Sequence, residues 1–324
     1  MLRTRESSQN SPVELTPDAL DDLIEVGVTD LFISSHNGLW VGRYGAVTQR
    51  HTSFAESDVR RLAVQLIGLG GRHVDDAQPW ADVALPSGIR VHVMLAPVSV
   101  SGTEISIRVP RAVPFSLDEL VASGMMSHGQ AAYLRACIAQ RATLVVTGAT
   151  GSGKTTLAAA LMALVPDRER ILTIEDVAEL HITHPRVVRL ETRQANIEGR
   201  GRIDISDLIR QALRMRPDRL VLGECRGAEL LDTLMAFNTG HEGGATTVHA
   251  NSLEDVPARL LAMLSTAGLT DEASITVVLA AISRVVHIES HEGARHITIG
   301  RPIRRVDSQG RSALTIDEIS VPSG

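Results

Sequence analysis

At 324 residues the chain is long enough for two domains, each with its own core. Hydrophobic content of 44% and charged content of 22% are those of a globular protein, while 2% aromatics leaves the cores to Leu, Ile, Val and Ala and argues against stacking platforms for single-stranded nucleic acid. A formal charge of −6 is not that of a chain that coats DNA, and two isolated cysteines, Cys137 and Cys225, read as buried thiols in a reducing compartment, forming neither a disulfide framework nor a zinc site.

Residues 1–15 are polar, lack a secretory signal and are expected to be disordered. A small α+β domain is expected over 16–109. Thr16-Pro17-Asp18 starts a helix, with Thr16 as N-cap and proline at the first helical position. Val28 to Ile33 reads as a strand. A second helix is predicted to open at Ser53, with Glu56 completing a capping box; its apolar stripe is Val59, Leu62, Ala63, Leu66 and Ile67, and it ends at Gly70-Gly71. Two alternating strands follow. Ile89, Val91, Val93 and Leu95 face one way and Arg90 and His92 the other; Ile105, Ile107 and Val109 oppose Glu104, Ser106 and Arg108. Arg90 and Arg108 thus project from the polar face of one sheet.

Pro110 and Pro114 bracket a linker, 110–115. Over 116–324, helical segments alternate with the aliphatic strands Leu144–Thr147, Ile171–Ile174, Leu220–Leu222 and Ala245–His249, a rhythm that implies a parallel sheet flanked by helices. Arg284 to Ile299 is expected to form a hairpin around His291-Glu292-Gly293. The longest apolar run, Ile275 to Ile282, is too short to span a bilayer, so a cytoplasmic protein is expected, reaching a membrane only peripherally.

Between the first of these strands and a helix carrying Leu157, Leu161 and Leu164 lies Gly148-Ala149-Thr150-Gly151-Ser152-Gly153-Lys154-Thr155, followed by Thr156. It fits the phosphate-binding loop G-x-x-x-x-G-K-[ST], in which glycines let backbone N–H groups curl around phosphate oxygens at a helix N-terminus. Lys154 would reach the β- and γ-phosphates, and the Thr155 hydroxyl would hold Mg²⁺. ATP and Mg²⁺ are therefore the expected ligands, and the fold class is α/β, a RecA-like P-loop domain preceded by the smaller α+β domain. Two further strands end in carboxylates, Ile174-Glu175-Asp176 and Leu222-Gly223-Glu224, where such enzymes touch Mg²⁺ or orient the attacking water. The second ends Gly-Glu rather than Asp-Glu, so Glu224 acts without an adjacent aspartate. His181, His184, His287 and His291 resemble metal spacings but read as ordinary surface histidines.

Thr173-Ile174-Glu175-Asp176, Leu213-Arg214-Met215-Arg216-Pro217-Asp218-Arg219, Gly223-Glu224-Cys225-Arg226-Gly227, Asn238-Thr239-Gly240-His241-Glu242-Gly243 and Thr247-Val248-His249-Ala250-Asn251 occur in that order. The chain thereby resembles the secretion ATPases of type II and type IV secretion and type IV pilus assembly, and within them the tight-adherence (Flp) pilus branch, TadA or CpaF, over roughly residues 20–300. The resemblance implies an acidic box at Glu175, Asp176 and Glu179, an atypical second Walker motif at Gly223 and Glu224, and a His box from Gly240 through His249. It implies a homohexameric ring acting on an inner-membrane platform protein, and an N-terminal domain that closes over nucleotide and contributes arginines, matched by Arg90 and Arg108. In that scheme Glu224 orients water and contacts Mg²⁺ with Thr155, Glu175 is the second candidate base, and His249 senses the γ-phosphate. Arg193, Arg214 and Arg226 are further arginines that the sequence does not rank.

Two cysteines exclude the four-cysteine zinc module of many pilus and type II ATPases. The chain begins near its first family-like helix, so it is expected to lack the longer extension of many tight-adherence ATPases. A type IV (conjugation) secretion ATPase shares every nucleotide motif. Two other rivals are a nucleotide-binding ring with little turnover, acting as scaffold or switch, and a hexameric nucleic-acid motor, which the acidic charge disfavours.

Overall fold

The computed structural model describes residues 15–43, 46–111, 113–195, 199–291, 294–306 and 308–322. The expected disordered N-terminus, up to residue 14, and the Glu292-Gly293 turn lie outside them. The chain divides into two compact units, Met1–Ala112 and Val113–Gly324.

In the first unit α1 (Pro17–Asp21) is capped by the Thr16 side chain. β1 (Val28–Ser34), β2 (Gly38–Arg43) and β3 (Ala46–His51) form a meander, α2 spans Glu56–Leu69, and β4 (Trp80–Ala84), β5 (Arg90–Met94) and β6 (Glu104–Arg108) complete a six-stranded antiparallel sheet ordered β3-β2-β1-β6-β5-β4. α2 buries Val59, Leu62, Ala63, Leu66 and Ile67 in one cluster with Leu31, Ile33, Val91, Val93, Ile105 and Ile107. Its start differs from expectation. Ala55 is the N-cap, no side chain caps the helix, and the Glu56 carboxylate instead accepts from the N–H and the hydroxyl of Thr103, at 2.8 and 2.5 Å. Thr103 is fully buried, and stranding its two donors would cost more than an open cap at the surface.

The second unit begins with two serine-capped helices, α3 (Leu117–Ala122) and α4 (His128–Ala139), each closed by a capping box. β7 (Leu144–Gly148), α5 (Lys154–Met162), β8 (Ile171–Glu175), β9 (Val187–Glu191), α6 (Ile205–Ala212), β10 (Arg219–Cys225), α7 (Glu229–Asn238), β11 (Ala245–His249), α8 (Val256–Thr266) and α9 (Asp271–Ala281) follow, then β12 (Arg284–His291), β13 (Ala294–Val306) and β14 (Ser312–Glu318). The eight-stranded sheet is ordered β14-β13-β12-β7-β11-β10-β8-β9; β12 through β9 are parallel, and β13 and β14 are antiparallel additions. Period-two alternation feeds two cores. Val145 joins α6 to α9 on one face, and Leu144 and Val146 join α3, α4 and α5 on the other.

Cys137 and Cys225 are free and buried; burial pushes both thiols up, Cys225 to about 12. Neither is therefore expected to react with an alkylating reagent at pH 8 in the folded chain, whereas both react in concentrated urea. Mass spectrometry of the native protein decides this, and a modified cysteine would contradict the packing. Among the described residues no helix is long and apolar enough to cross a membrane.

Candidate nucleotide site

The functional side chains converge at the carboxyl ends of four adjacent strands, β7, β11, β10 and β8, where ligands of open α/β sheets gather. β7 ends at Gly148 and α5 starts at Lys154, so Gly148, Ala149, Thr150, Gly151, Ser152 and Gly153 are the turn between them, with Thr155 and Thr156 in the first turn of the helix. Gly153 caps α5 at φ 101°, a left-handed conformation that a side chain would strain, and no side chain caps the helix. Its first-turn N–H groups and the positive end of its dipole are thus presented to the loop. The buried Ser152 Oγ has no hydrogen-bond partner among the described residues.

Lys154 folds back into the loop. Its Nζ donates to the carbonyls of Gly148 (3.0 Å) and Ala149 (2.8 Å) and lies 3.3 Å from Nδ1 of His249, with Thr150 Oγ1 3.4 Å from that same nitrogen. Burial lowers the Lys154 pKa, against the opposing charges of Glu224 and Glu179. On the other side of the ring, His249 Nε2 is 2.8 Å from Glu224 Oε1, and Arg226 Nη2 donates to Glu224 Oε2 at 2.8 Å. An ammonium carries no lone pair, so Nδ1 must accept from Lys154, and the ring proton sits on Nε2 and is donated to Glu224. The pKa directions agree. Burial, then the Lys154 charge, lowers His249 and keeps it neutral. Burial pushes Glu224 up, but the hydrogen bond and charge of Arg226, with the nearby Lys154 charge, outweigh it and hold the carboxyl below its ordinary value.

Glu175 lies one layer deeper, 5% exposed at the end of β8. Its Oε1 accepts from the N–H groups of Glu179 and Leu180, both at 2.9 Å, and its Oε2 has no hydrogen-bond partner among the described residues. Burial raises its pKa, partly countered by those two N–H groups. Glu175 also accounts for the missing aspartate: a Cβ at position 223 would sit 2.7 Å from Glu175 Cγ. Glycine there is the condition for packing the buried glutamate against β10.

The structure thus brings Lys154, Thr150, His249 and Glu224 into one network and sets Glu175 behind it. Of the unranked arginines, Arg226 is the one on the network, while Arg193 Nε donates to the carbonyl of Gly201. The His box is split by β11: His241 and Glu242 precede the strand and His249 ends it, separated by about 13 Å of strand. His287 is not a surface histidine. It is fully buried, in register with Thr147, with Nδ1 2.9 Å from Thr147 Oγ1. In the first unit Arg90 and Arg108 are direct cross-strand partners on β5 and β6, with Asp30 next in the row on β1.

A lysine-led helix springing from a glycine turn at the end of a parallel strand is how P-loop proteins are built, and the second unit is of that class. Residues 9–311 match the family model described as "Type II/IV secretion system protein", and the chain belongs to that family. It is 43% identical over 276 residues to a "Putative conjugal transfer protein" of Mycobacterium tuberculosis, covering 83% of this chain and 78% of that protein. It is 32% identical over 288 residues to the conjugal transfer protein TrbB of Rhizobium radiobacter, covering 86% and 84%. A crystal structure of the pilus retraction motor PilT with bound ADP superposes with a TM-score of 0.63 at 20% identity, covering 94% of this chain and 83% of that one, a likeness of fold. The superfamily drawn from the motifs is therefore correct. These relatives carry conjugal-transfer names rather than tight-adherence ones.

Proposed function

We propose that the chain is the subunit of a homohexameric motor that hydrolyses ATP to ADP and phosphate, working at the cytoplasmic face of a membrane against a platform protein of a type IV, conjugation-like secretion system. The observation that carries the hydrolytic reading is the Lys154–His249–Glu224 network at the mouth of the phosphate loop. The conjugal-transfer names of relatives at 43% and 32% identity favour this branch. Flp pilus assembly is the second reading, supported by the order of the motifs, and neighbouring genes separate the two: mating-channel and relaxase genes against pilin and platform genes.

The residues present fit a polyphosphate and its metal. An uncapped helix, an unpartnered buried hydroxyl at Ser152 and an ammonium resting on two carbonyls are groups that phosphate oxygens satisfy better. Thr155 and Glu224 would hold Mg²⁺, which keeps several waters and needs only one or two protein groups beside the phosphates. When bound, it neutralises charge on the transferring phosphoryl group. Lys154 exchanges its carbonyl partners for phosphate. Glu224, ionised and held by a donor on each oxygen, orients the attacking water, since phosphoryl transfer asks mainly for positioning. His249 loses its Lys154 contact when phosphate takes the ammonium, so its hold on Glu224 reports the γ-phosphate. Arg90 and Arg108, cross-strand partners in the N-terminal unit, would be the arginines that the family resemblance implies, a contribution typically worth about 10³–10⁵ in rate, roughly 4–7 kcal/mol of barrier.

Mg²⁺-dependent phosphate release across protein concentrations tests this, beside Lys154→Ala. Activity per subunit rises as rings assemble and vanishes in the variant. Tight ATP binding without turnover in assembled rings would favour a scaffold, and stimulation by DNA a nucleic-acid motor.

A further inference from the structure

β12 runs beside β7 with Ile288 in register with Gly148, so it continues past the start of the phosphate loop through Glu289, Ser290 and His291 before the chain returns as β13. On the return strand Arg295 lies opposite Ser290, two residues beyond that level, or about 7 Å further along the sheet. From there its Nη2 donates to the carbonyl oxygen of Gly151 at 3.3 Å, and its Nη1 is 3.9 Å from the place a Cβ would occupy on Gly153. The two strands pair continuously from Val285–Gly300 to His291–Ala294, so the guanidinium is delivered from a sheet rather than a loop.

The peptide oxygen that Arg295 takes belongs to the same amide as the N–H of Ser152. That N–H makes only a 3.3 Å bond to the carbonyl of Ala149, one that a phosphate oxygen readily replaces. A cation on the oxygen of an amide polarises its N–H and strengthens it as a donor. We propose that Arg295 is a positioning residue of the phosphate loop: from the neighbouring hairpin it fixes the Gly151 carbonyl and so sets the aim and donor strength of the Ser152 N–H toward the polyphosphate of the nucleotide. The inference rests on the phosphate-loop reading above and adds to it a residue outside the loop, 144 positions along the chain from its contact.

The test titrates ATP, ADP, pyrophosphate and adenosine into the full chain as wild type, Arg295→Ala, Arg295→Lys and Lys154→Ala. Arg295→Ala is expected to raise the Kd for ATP, ADP and pyrophosphate about tenfold, equivalent to about 1.4 kcal/mol. KM should rise alike, while kcat at saturating ATP, adenosine binding and the melting temperature without nucleotide stay as in wild type. Arg295→Lys, which keeps a cation, recovers part of the loss. An unchanged pyrophosphate Kd overturns the proposal. So does a loss shared by adenosine, which would place Arg295 on the base, or a lowered melting temperature in both Arg295 variants, which would make it a structural brace. If wild type binds no nucleotide, or Lys154→Ala binds as well as wild type, the phosphate-loop reading itself fails.

Discussion

Glu224→Gln is expected to lower kcat about 10²–10⁴-fold while leaving the Kd for ATP within a few-fold of wild type. The substitution is nearly isosteric. His249 Nε2 can still donate to the amide oxygen that replaces Oε1, and the local fold has no reason to change. What disappears is the negative charge that Arg226, Lys154 and His249 jointly hold in its ionised form. The amide also places a donor against Arg226, which has no acceptor to receive it. Binding survives because Lys154 and the α5 N-terminus are untouched. Single-turnover phosphate release beside a direct nucleotide titration separates the two effects. Glu175→Gln is the matched control: Oε1 there accepts two backbone N–H bonds that an amide oxygen also accepts. A Glu224→Gln enzyme turning over within a few-fold of wild type, beside an inactive Glu175→Gln, would exchange the two roles.

The second large effect lies at the opposite end of the sheet. Arg219, fully buried at the start of β10, donates Nε to Glu169 Oε2 (2.7 Å), Nη1 to the carbonyl of Gly243 (3.1 Å) and Nη2 to that of Ile138 (3.0 Å); Arg141 Nη1 reaches the same Glu169 oxygen at 3.0 Å. Glu169→Ala leaves a desolvated guanidinium without its counter-charge and is expected to cost about 3–5 kcal/mol of stability. At roughly 2–4 °C per kcal/mol in a unit of this size, the melting temperature falls by about 6–20 °C. Replacing both partners, as Glu169→Leu with Arg219→Met, removes the uncompensated charge and should recover most of the loss. Urea unfolding of the two variants beside wild type measures this. A single variant losing under about 1 kcal/mol would mean that water reaches the guanidinium.

How far the sequence could be read follows from what each element asks of its neighbours. β5 and β6 alternate strictly and α2 carries a clean apolar stripe, because each has one buried and one open face, and these were legible. β2 begins at a glycine and β3 is an almost wholly exposed edge, so neither shows alternation, and both escaped the reading. The capping box at Ser53 failed because Glu56 had a competing buried partner 47 residues away, which local spacing does not reveal. The phosphate loop and the strand-end carboxylates were legible because their chemistry is contiguous in the chain. Gly223 stood out as a departure, but its cause, the girth of Glu175 on the next strand, is a tertiary fact. Arg295, His287 and the Glu169–Arg219 pair escaped for the same reason: the tertiary arrangement of the sheet, antiparallel at β13 and parallel at β12 and β10, and not sequence proximity, brings each to its partner.

β11 is held on both flanks, by β7 and by β10. At its far end the carbonyl of Gly243, two residues before the strand, is gripped by Arg219; at its near end His249 touches the loop lysine. A strand paired on both edges has little freedom to stretch, even with the register shift of β10 between Leu222 and Cys225. A shift of His249 at one tip is therefore expected to be felt at the other, where Arg219 holds the Gly243 carbonyl.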